Sequence, residues 1–370
     1  MTSNDSTFST NVPARARRCR VIVWGTGFTG KMVVRELLDH PAFELVGVIV
    51  NDPAKDGRDV GELLGGAPIG MKATRDVDAA LALEADALAY FGPTAEFAAA
   101  NIENMSRALR AGKNVVSTSM TPLVYPKACP PAMVAALEKA CQEGGTSCFT
   151  TGIDPGFAND LLPLTLMGLC ARVDSVRIQE ILDYQSYTGD YAKTMGIGRP
   201  LEEKALLENT KILVFSWGHT IPLIADAMGV EIERYASSYE KWAAPERIVH
   251  MNGAIEKGCC AAVRFEIQGI VAGEPRIVIE HVNRITKAAA PDWPRTKLED
   301  DDCYRVIIRG SPNVTQETAF RDARTGDSNS GGCLSTGMRA IHAIPAVCAA
   351  PPGLLSALDL PLIAGRGNMR

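Results

Sequence analysis

A glycine-rich motif near the start of the chain places the strongest constraint on the fold. Gly25-Thr26-Gly27-Phe28-Thr29-Gly30 directly follows the apolar run CRVIVW and opens a helical pattern at 29–40, and a second β-type run covers 43–50. In a βαβ unit such glycines allow a tight turn, close approach of a pyrophosphate and close helix–strand packing. We therefore predict that this loop binds a dinucleotide, although a glycine-rich turn without a ligand is the alternative.

Alternating strand and helix patterns continue to about residue 153, which predicts a parallel sheet with helices on its faces. The pattern then changes, because a turn at 272–275 separates two strand-like runs at 262–270 and 276–286. Further strands at 175–184 and 304–309, with helical segments at 201–210 and 221–228, complete a second unit. The predicted fold class is α/β, with an N-terminal Rossmann domain and a second α+β domain containing an antiparallel or mixed sheet.

The domain boundaries follow from these changes in pattern. Residues 1–18, rich in Ser, Thr and Arg, are predicted to be a disordered tail. We predict that residues 19–155 form the dinucleotide-binding domain and 156–332 the substrate-binding and dimerisation domain. Residues 321–332 are the best candidate linker, and 333–370 are expected to pack back on the first domain.

Composition excludes several classes of function. Lys and Arg total 38 against 43 Asp and Glu, so a nucleic-acid partner is not expected. The ten cysteines include no C-x-x-C pair, which favours a reducing cytoplasm. Prolines interrupt the apolar stretch 341–364, so a membrane span is not expected. The five histidines show no metal-ligand spacing, and we predict no metal.

The residues after the second strand bear on the choice between NAD and NADP. Asn51 stands where a carboxylate usually binds the ribose hydroxyls, and Lys55 and Arg58 follow in the loop. These cations favour NADP(H) over NAD(H) because they can contact a 2′-phosphate. Use of both cofactors stays open, as does a solvated loop of mixed charge.

Four segments together resemble a known family. WGTGFTG, GKNVVSTS, TTGIDPGFANDLLP and AIHAIPAVCAAPPGL are similar to segments of the dihydrodipicolinate-reductase-related family, and most of all to its 2,4-diaminopentanoate dehydrogenase and native amine dehydrogenase branch. The resemblance extends from Cys19 over nearly the whole chain. It implies a two-domain homodimer whose second domain supplies an antiparallel sheet for dimerisation.

One departure from the parent reductase limits what the resemblance implies. The reductase carries a histidine pair, a lysine and a DAPSGT segment where this chain reads ILDYQSYTGDYAKTMG. Tyr184 and Gln185 stand about where the histidines would be. Dihydrodipicolinate reduction is therefore not expected, despite the shared fold.

The resemblance also indicates a catalytic acid. Glu103 matches the glutamate that the amine dehydrogenase branch carries on the helix before GKNVVSTS, and its expected role is to orient ammonia and act as general base. Glu96 is the second choice, although a position near a helix start explains it more simply. The alternative for Glu103 is a solvated side chain beside the apolar helical face of Ile102, Met105 and Leu109.

Other candidates stand at the ends of strands or among aromatic side chains. Thr118, Ser119 and Asn159 follow strands of the predicted parallel sheet and are expected to contact the nicotinamide, although helix capping is an alternative for Asn159. An apolar substrate pocket is expected from aromatic and methionine side chains, which at such positions are also common in cores. The pocket candidates are Tyr184, Tyr187, Met195 and Trp217.

Three functions remain open at this point. The first is an NADP(H)-preferring amine dehydrogenase that joins ammonia to small ketones or aldehydes and oxidises primary amines in reverse. The second is a diamino-acid dehydrogenase, which needs a cation for the carboxylate, and Arg199 or Arg339 could supply it. The third is a regulator that binds the dinucleotide without chemistry.

Overall fold

The computed structural model describes residues 17–93, 97–186, 191–251, 253–299 and 302–369. The strands are β1 Cys19–Trp24, β2 Phe43–Ile49, β3 Ala87–Tyr90, β4 Asn114–Ser117, β5 Ser147–Thr150, β6 Arg172–Asp183, β7 Arg234–Ala243, β8 Ile248–His250, β9 Gly253–Ile255, β10 Cys260–Val271, β11 Glu274–Arg284, β12 Cys303–Ser311, β13 Val314–Thr318 and β14 Gly353–Leu355. The α-helices are α1 Phe28–Leu38, α2 Val60–Leu63, α3 Val77–Leu81, α4 Ala98–Arg110, α5 Pro131–Gly144, α6 Leu161–Met167, α7 Tyr191–Thr194, α8 Thr210–Trp217, α9 Thr220–Met228 and α10 Ser328–Ala349. None of these helices combines the length and the apolar content that a membrane crossing requires.

The first sheet has the strand order β14-β5-β4-β3-β1-β2, and every neighbouring pair in it is parallel. Strands β3 and β5 are buried along their whole length, as expected for a sheet with helices on both faces. The predicted Rossmann-like domain is confirmed. The sixth strand, β14, comes from the C-terminal segment and pairs with β5.

The second sheet has the order β13-β12-β6-β11-β10-β7 and is mixed. Its pairs are antiparallel except for β6 with β11, which run parallel. Helices α8 and α9 pack on one face of this sheet, against β10 and β11. The second domain with an antiparallel or mixed sheet is therefore confirmed as well.

Two local predictions were wrong. Residues 201–210 form turns and a single 3-10 turn at Leu206–Glu208 rather than a helix. The expected linker at 321–332 ends early, because α10 already begins at Ser328, where the Asp327 side chain accepts a hydrogen bond from the Ser330 amide. An acidic N-cap satisfies an amide that would otherwise lack a partner, and this stabilises the early start of the helix.

Helix α10 connects the two sheets. Near its start, the Asn329 amide donates to the Asp183 carbonyl at the end of β6. Further along, the helix packs on α1, where a Cβ added at Gly337 would lie 2.3 Å from Val33 Cγ2. The glycine therefore allows an approach that a larger side chain would block.

This close approach gives a prediction about stability. Alanine is favoured over glycine by ~1 kcal/mol inside a helix, so Gly332→Ala, where nothing lies within 4 Å of an added Cβ, should not lower the thermal midpoint. Gly337→Ala should lower it, since overpacking typically costs ~1–3 kcal/mol. Differential scanning calorimetry of both variants is the measurement. Equal shifts in the two variants would contradict the packing of α10 on α1.

Candidate active site

The glycine-rich loop has the backbone geometry of an anion site. Gly25 has φ +109°, and a Cβ there would lie 2.2 Å from the Phe91 carbonyl oxygen. A Cβ at Gly30 would lie 2.0 Å from the carbonyl oxygen of Gly25. Gly27 has open space around it and caps α1 without a side-chain hydrogen bond. The amides at the start of α1 are thus left for a ligand, and the loop fits a pyrophosphate.

The remaining predicted cofactor residues surround this loop. Lys55 Nζ lies 3.3 Å from both the carbonyl and the hydroxyl oxygen of Thr26. Asn51, just after β2, accepts a hydrogen bond from Trp24 Nε1 at 3.2 Å, while Arg58 is exposed. The structure therefore brings a lysine to the glycine loop and leaves an arginine nearby in solvent.

A cavity of about 260 Å³ lies between the two sheets. The first domain contributes the side chains of Thr29, Thr118 and Asp154, and the second contributes Glu180, Tyr184 and Trp217. Four of these six residues, namely Thr29, Thr118, Tyr184 and Trp217, were predicted to contact cofactor or substrate. Their shared cavity adjoins the glycine loop through Thr29, the second residue of α1.

Strand pairing places one row of side chains across the second sheet. Tyr304 is opposite Glu180, and Glu180 is opposite His281 in the parallel β6–β11 pair. The His281 ring in turn stacks on Phe265 with a centroid distance of 4.7 Å. The same face of each strand carries these residues, so the row begins at the cavity wall with Tyr304 and Glu180 and continues into the core with His281 and Phe265.

His281 lies between two carboxyl groups. Its Nδ1 is 3.1 Å from Glu180 Oε1, and its Nε2 is 3.4 Å from Asp154 Oδ2. Asn283 donates to Glu180 Oε1 at 2.8 Å, and Asn159 donates to the other oxygen of Asp154. Asp154 Oδ2 has no hydrogen-bond partner, although only 3% of that side chain is exposed.

Burial and mutual charge shift the pKa of each member of this group. Burial raises the pKa of Asp154 well above its usual value, and the charge of Glu180 adds to the effect. Burial would also raise the pKa of Glu180, but the charge and hydrogen bond of His281 hold it below the usual value. The two acids together raise the pKa of His281 against the effect of burial. The favoured state is an imidazolium beside a Glu180 carboxylate and a protonated Asp154.

This arrangement can move protons in both directions. A protonated acid and an ionised carboxylate in one cavity are the two partners that acid–base catalysis requires. Asp154, Glu180 and His281 also have donor atoms within 4.8 Å of one another, a spacing that could hold a metal ion. However, His281 presents a different nitrogen to each acid, which suits proton sharing better than a common metal ligand set.

Several predicted site residues lie elsewhere. Glu103 is exposed on α4 and does not line the cavity, so the geometry speaks against its predicted acid–base role. Met195 is completely buried in the core of the second domain, where its carbonyl accepts a hydrogen bond from Tyr239, so its assignment to the substrate pocket was wrong. Tyr187 and Glu96 fall outside the described residues.

Two predicted cofactor contacts instead support the neighbouring backbone and side chains. Ser119 is buried and donates to the Gly92 carbonyl at 3.1 Å. Asn159 is fully buried and orients Asp154, whereas the adjacent Asp160 caps α6. Neither Ser119 nor Asn159 lines the cavity. Phe28, a third predicted cofactor residue, lies at the start of α1, where 42% of it is exposed.

The two arginines proposed as carboxylate clamps do not line the cavity either. Arg199 is half exposed, with Glu203 at 3.9 Å. Arg339, on α10, lies 5.9 Å from the centre of the Phe157 ring, and burial lowers its pKa against the nearby charge of Asp160. The structure therefore gives no support to a diamino-acid clamp at either position.

Sequence reasoning missed the roles of Glu180 and His281, although a signal was present. Both are polar residues within largely apolar strands, at positions whose neighbours two residues away, such as Ile178 and Ile279, are buried. A charged residue on the inward face of a strand costs free energy unless it is paired. That pattern could have identified them as partners in a buried site.

Two family models and several known proteins match this chain. Residues 157–369 match the 2,4-diaminopentanoate dehydrogenase C-terminal domain, and 19–122 match the N-terminus of dihydrodipicolinate reductase. An amine dehydrogenase of Streptomyces virginiae is 38% identical over 94% of this chain and 98% of its own. A 2,4-diaminopentanoate dehydrogenase of Acetoanaerobium sticklandii is 25% identical, over 93% and 94%. The structure of an amine dehydrogenase from Mycobacterium smegmatis superposes with a TM-score of 0.77 at 21% identity, covering 95% of this chain and 99% of that one.

Proposed function

Because the chain belongs to the family of amine and 2,4-diaminopentanoate dehydrogenases, we propose that it catalyses NAD(P)H-dependent reductive amination of small ketones or aldehydes with ammonia, and the reverse oxidation of primary amines. The observation that carries the proposal is the buried Asp154–His281–Glu180 group, whose two acids line the cavity next to the glycine loop. A carbonyl compound, an ammonium ion, a proton and NAD(P)H give an alkylammonium ion, water and NAD(P)⁺. The dinucleotide supplies or accepts the hydride.

The chain's own residues handle the protons. Glu180, ionised beside His281, accepts a proton from the ammonium ion. His281, with one ring nitrogen 3.1 Å from Glu180 and the other 3.4 Å from Asp154, passes a proton on to Asp154 once that acid has donated its own, so that Glu180 can accept a second proton from the nitrogen of the carbinolamine. Asp154, protonated through burial, donates to the oxygen that leaves as water. His281 holds both acids in place and balances their charge, while Trp217 and Tyr184 provide an aromatic wall that limits the access of water.

The charge of the cavity favours a substrate without a carboxylate. Its described wall contains the acids Asp154, Glu180 and Asp302 and no Lys or Arg side chain, and His281 lies directly behind two of these acids. A substrate carboxylate buried there would meet like charge, and the imidazolium of His281 is already paired with Glu180, so its burial would cost several kcal/mol. An amine is attracted to the same wall, so we favour primary amines over amino acids.

The acid–base assignment can be tested with a matched pair of variants. Glu180→Gln removes the general base, so the rate of reductive amination should fall by ~10²–10⁴-fold with little change in the KM for the dinucleotide. Glu103→Gln, at an exposed glutamate of the first domain, should keep a near-normal rate. The measurement is ammonia-dependent oxidation of NAD(P)H. A large loss of rate in Glu103→Gln, with a near-normal rate in Glu180→Gln, would instead assign the catalytic role to Glu103.

We further propose that NADP(H) is preferred over NAD(H). Lys55 already lies beside the glycine loop, and Asn51 avoids the charge repulsion that a carboxylate at the end of β2 would cause. Arg58, exposed nearby, is free to turn toward a 2′-phosphate. The loop thus offers two cations, while its carboxylates Asp52, Asp56 and Asp59 accept hydrogen bonds from backbone amides.

The cofactor proposal rests on charge, so removing the charge tests it. The double variant Lys55→Ala/Arg58→Ala should raise the KM for NADPH by ~10-fold or more, since hydrogen bonds to charged groups contribute ~1.5–3 kcal/mol. The KM for NADH should change much less. Lys257→Ala, at an exposed lysine of the second domain, is the control. Equal losses with the two cofactors would contradict the preference.

We propose that residues 19–155 form the dinucleotide-binding domain and residues 156–332 the substrate-binding and dimerisation domain. In this proposal the second sheet also forms the interface of a homodimer. The face opposite α8 and α9 carries a network of charges. Arg177 lies 2.6 Å from Glu266 and 2.5 Å from Glu280, and Arg264 lies 2.8 Å from Glu280. A face on which two Arg and two Glu side chains balance one another can match a second copy across a twofold axis.

Light scattering of the purified protein tests the dimer directly. The expected mass is twice the 39.6 kDa of the chain, independent of dilution through the micromolar range. A stable monomer in that range would rule out the proposed interface.

A cytoplasmic location is proposed from the chemistry of the cysteines. All ten are free thiols in the structure, and burial raises the pKa of Cys129 and Cys141 to about 12. Buried neutral thiols without disulfides suit a reducing compartment.

A further inference from the structure

A small cavity adjoins the larger one between the sheets, and the proposed reaction assigns no ligand to it. Its volume is about 40 Å³. Thr118, Thr121, Asp154 and Thr336 line both cavities, so the two lie side by side. We call the small cavity the threonine pocket. A molecule with a single heavy atom fits into it, since a water molecule occupies about 30 Å³ in the liquid.

Strand register brings the threonines of this pocket together. Thr150, the last residue of β5, is paired with Ser117, the last residue of β4, and Thr118 is the next residue along. Thr121 begins the short 3-10 turn that follows β4. Open parallel sheets bind their ligands at the carboxyl ends of the strands, and the glycine loop follows β1 at the same edge. The threonine pocket therefore lies on the side of the sheet where the cofactor is expected.

The hydroxyl group of Thr150 points to a ligand in the pocket. Only 3% of Thr150 is exposed, and its Oγ1 forms no hydrogen bond with any described residue. The neighbouring Thr151 is as deeply buried, but its hydroxyl donates to the Gly156 carbonyl at 3.1 Å. A buried hydroxyl without a partner is costly, and in folded proteins such groups usually bond to a small molecule such as water. The pocket is therefore built to hold a small polar molecule.

The lining of the pocket suits a neutral molecule better than an ion. Thr118, Thr121 and Thr150 each bring a hydroxyl oxygen, which can accept hydrogen bonds. Asp154 is the one ionisable side chain among the described residues of the lining, and burial raises its pKa well above the usual value, so that it stays protonated. A cation in the pocket would therefore lack a counterion in the described wall.

Neutral ammonia matches this set of groups. It has three N–H donors and one lone pair, whereas water has only two donors. Three threonine oxygens can accept the three donors. The lone pair is then left to face the larger cavity, where the carbonyl compound binds.

We propose that the threonine pocket binds the ammonia substrate as a neutral molecule, held by the hydroxyl groups of Thr118, Thr121 and Thr150. This inference rests on the proposed amine dehydrogenase function. An ammonium ion that enters the larger cavity loses a proton to Glu180, and the resulting ammonia is held in the pocket beside the carbonyl compound. The C–N bond forms when the lone pair of the bound ammonia attacks the carbonyl carbon.

Removing the Thr150 hydroxyl tests the proposal. Thr150→Val replaces the hydroxyl by a methyl group of similar size, so the KM for ammonia in reductive amination should rise by ~3–10-fold, as the loss of one hydrogen bond predicts. The KM values for the carbonyl compound and for NADPH should change little. Thr150→Ser, which keeps the hydroxyl, should have a KM for ammonia near that of the wild type. The measurement is NADPH oxidation at fixed pH with varied ammonium chloride.

Thr146, just before β5, provides a matched control. It is also 3% exposed, and its hydroxyl donates to the Leu109 carbonyl at 3.1 Å. Thr146→Val breaks this bond, so it should lower the thermal midpoint and leave the KM for ammonia unchanged. Thr150→Val should not lower the midpoint, because the hydroxyl that it removes has no partner among the described residues.

A binding measurement keeps the test independent of turnover. Thermal unfolding in the presence of NADP⁺ is followed with ammonium chloride and with sodium chloride at equal ionic strength. The midpoint of the wild type should be higher in ammonium chloride, since a ligand that binds the folded state stabilises it. This rise should be smaller in Thr150→Val. If Thr150→Val does not fold, Thr150→Ala, which also removes the hydroxyl, carries the same two predictions.

The outcomes separate this inference from the function on which it rests. If the wild type and Thr150→Val have the same KM for ammonia, the enzyme is an amine dehydrogenase whose pocket holds only ordered water, and the inference is wrong. A rise in the KM for NADPH alone would also overturn it, because the pocket would then hold part of the cofactor. If the wild type shows no ammonia-dependent oxidation of NAD(P)H, the proposed function itself fails and the inference fails with it.

Discussion

The contact of one imidazole with two carboxyl groups joins the halves of this protein. Asp154 follows β5 in the first sheet, whereas Glu180 and His281 belong to adjacent strands of the second sheet. All three side chains are almost completely buried, so none is stable there as an isolated charge. Each of these groups is therefore paired where the two domains meet.

The same contact explains why the cavity is acidic rather than apolar. Pairing a buried imidazolium with two carboxyl groups seldom adds net stability over an apolar packing of the same volume. Its retention at the wall of a cavity is better explained by proton transfer than by stability. Asn159 and Asn283 support this reading, since each uses its amide to orient one of the two acids.

Helix α10 links the cofactor loop to the substrate cavity. Its first residues contact the end of β6, Thr336 faces the cavity, and Gly337 packs against α1, the helix that begins in the glycine loop. A single rigid element thus relates the position of a bound dinucleotide to the position of Glu180. The C-terminal segment belongs to the site for this reason, although it is far from the glycine loop in sequence.

Local sequence was sufficient for features that depend on neighbouring residues. The glycine motif, the alternation of strands and helices and the turn at 272–275 each express constraints within a few residues, so the Rossmann-like domain and the mixed second sheet could be predicted. Tyr184 and Trp217 were among the pocket candidates chosen for their aromatic side chains, and both line the cavity. Glu103 and Met195 were predicted for the site as well but do not line the cavity, because helical or apolar context alone does not tell which side of an element faces a cavity.

By itself, the sequence determined the type of each domain, the glycine loop and the class of cofactor that such a loop binds. Only the tertiary structure decided which acid faces the cavity. Glu180 meets His281 through the pairing of strands about 100 residues apart, and Asp154 reaches them from the other sheet. The register of distant strands depends on the packing of the whole domain, and for that reason no local pattern could reveal the group that we assign to catalysis.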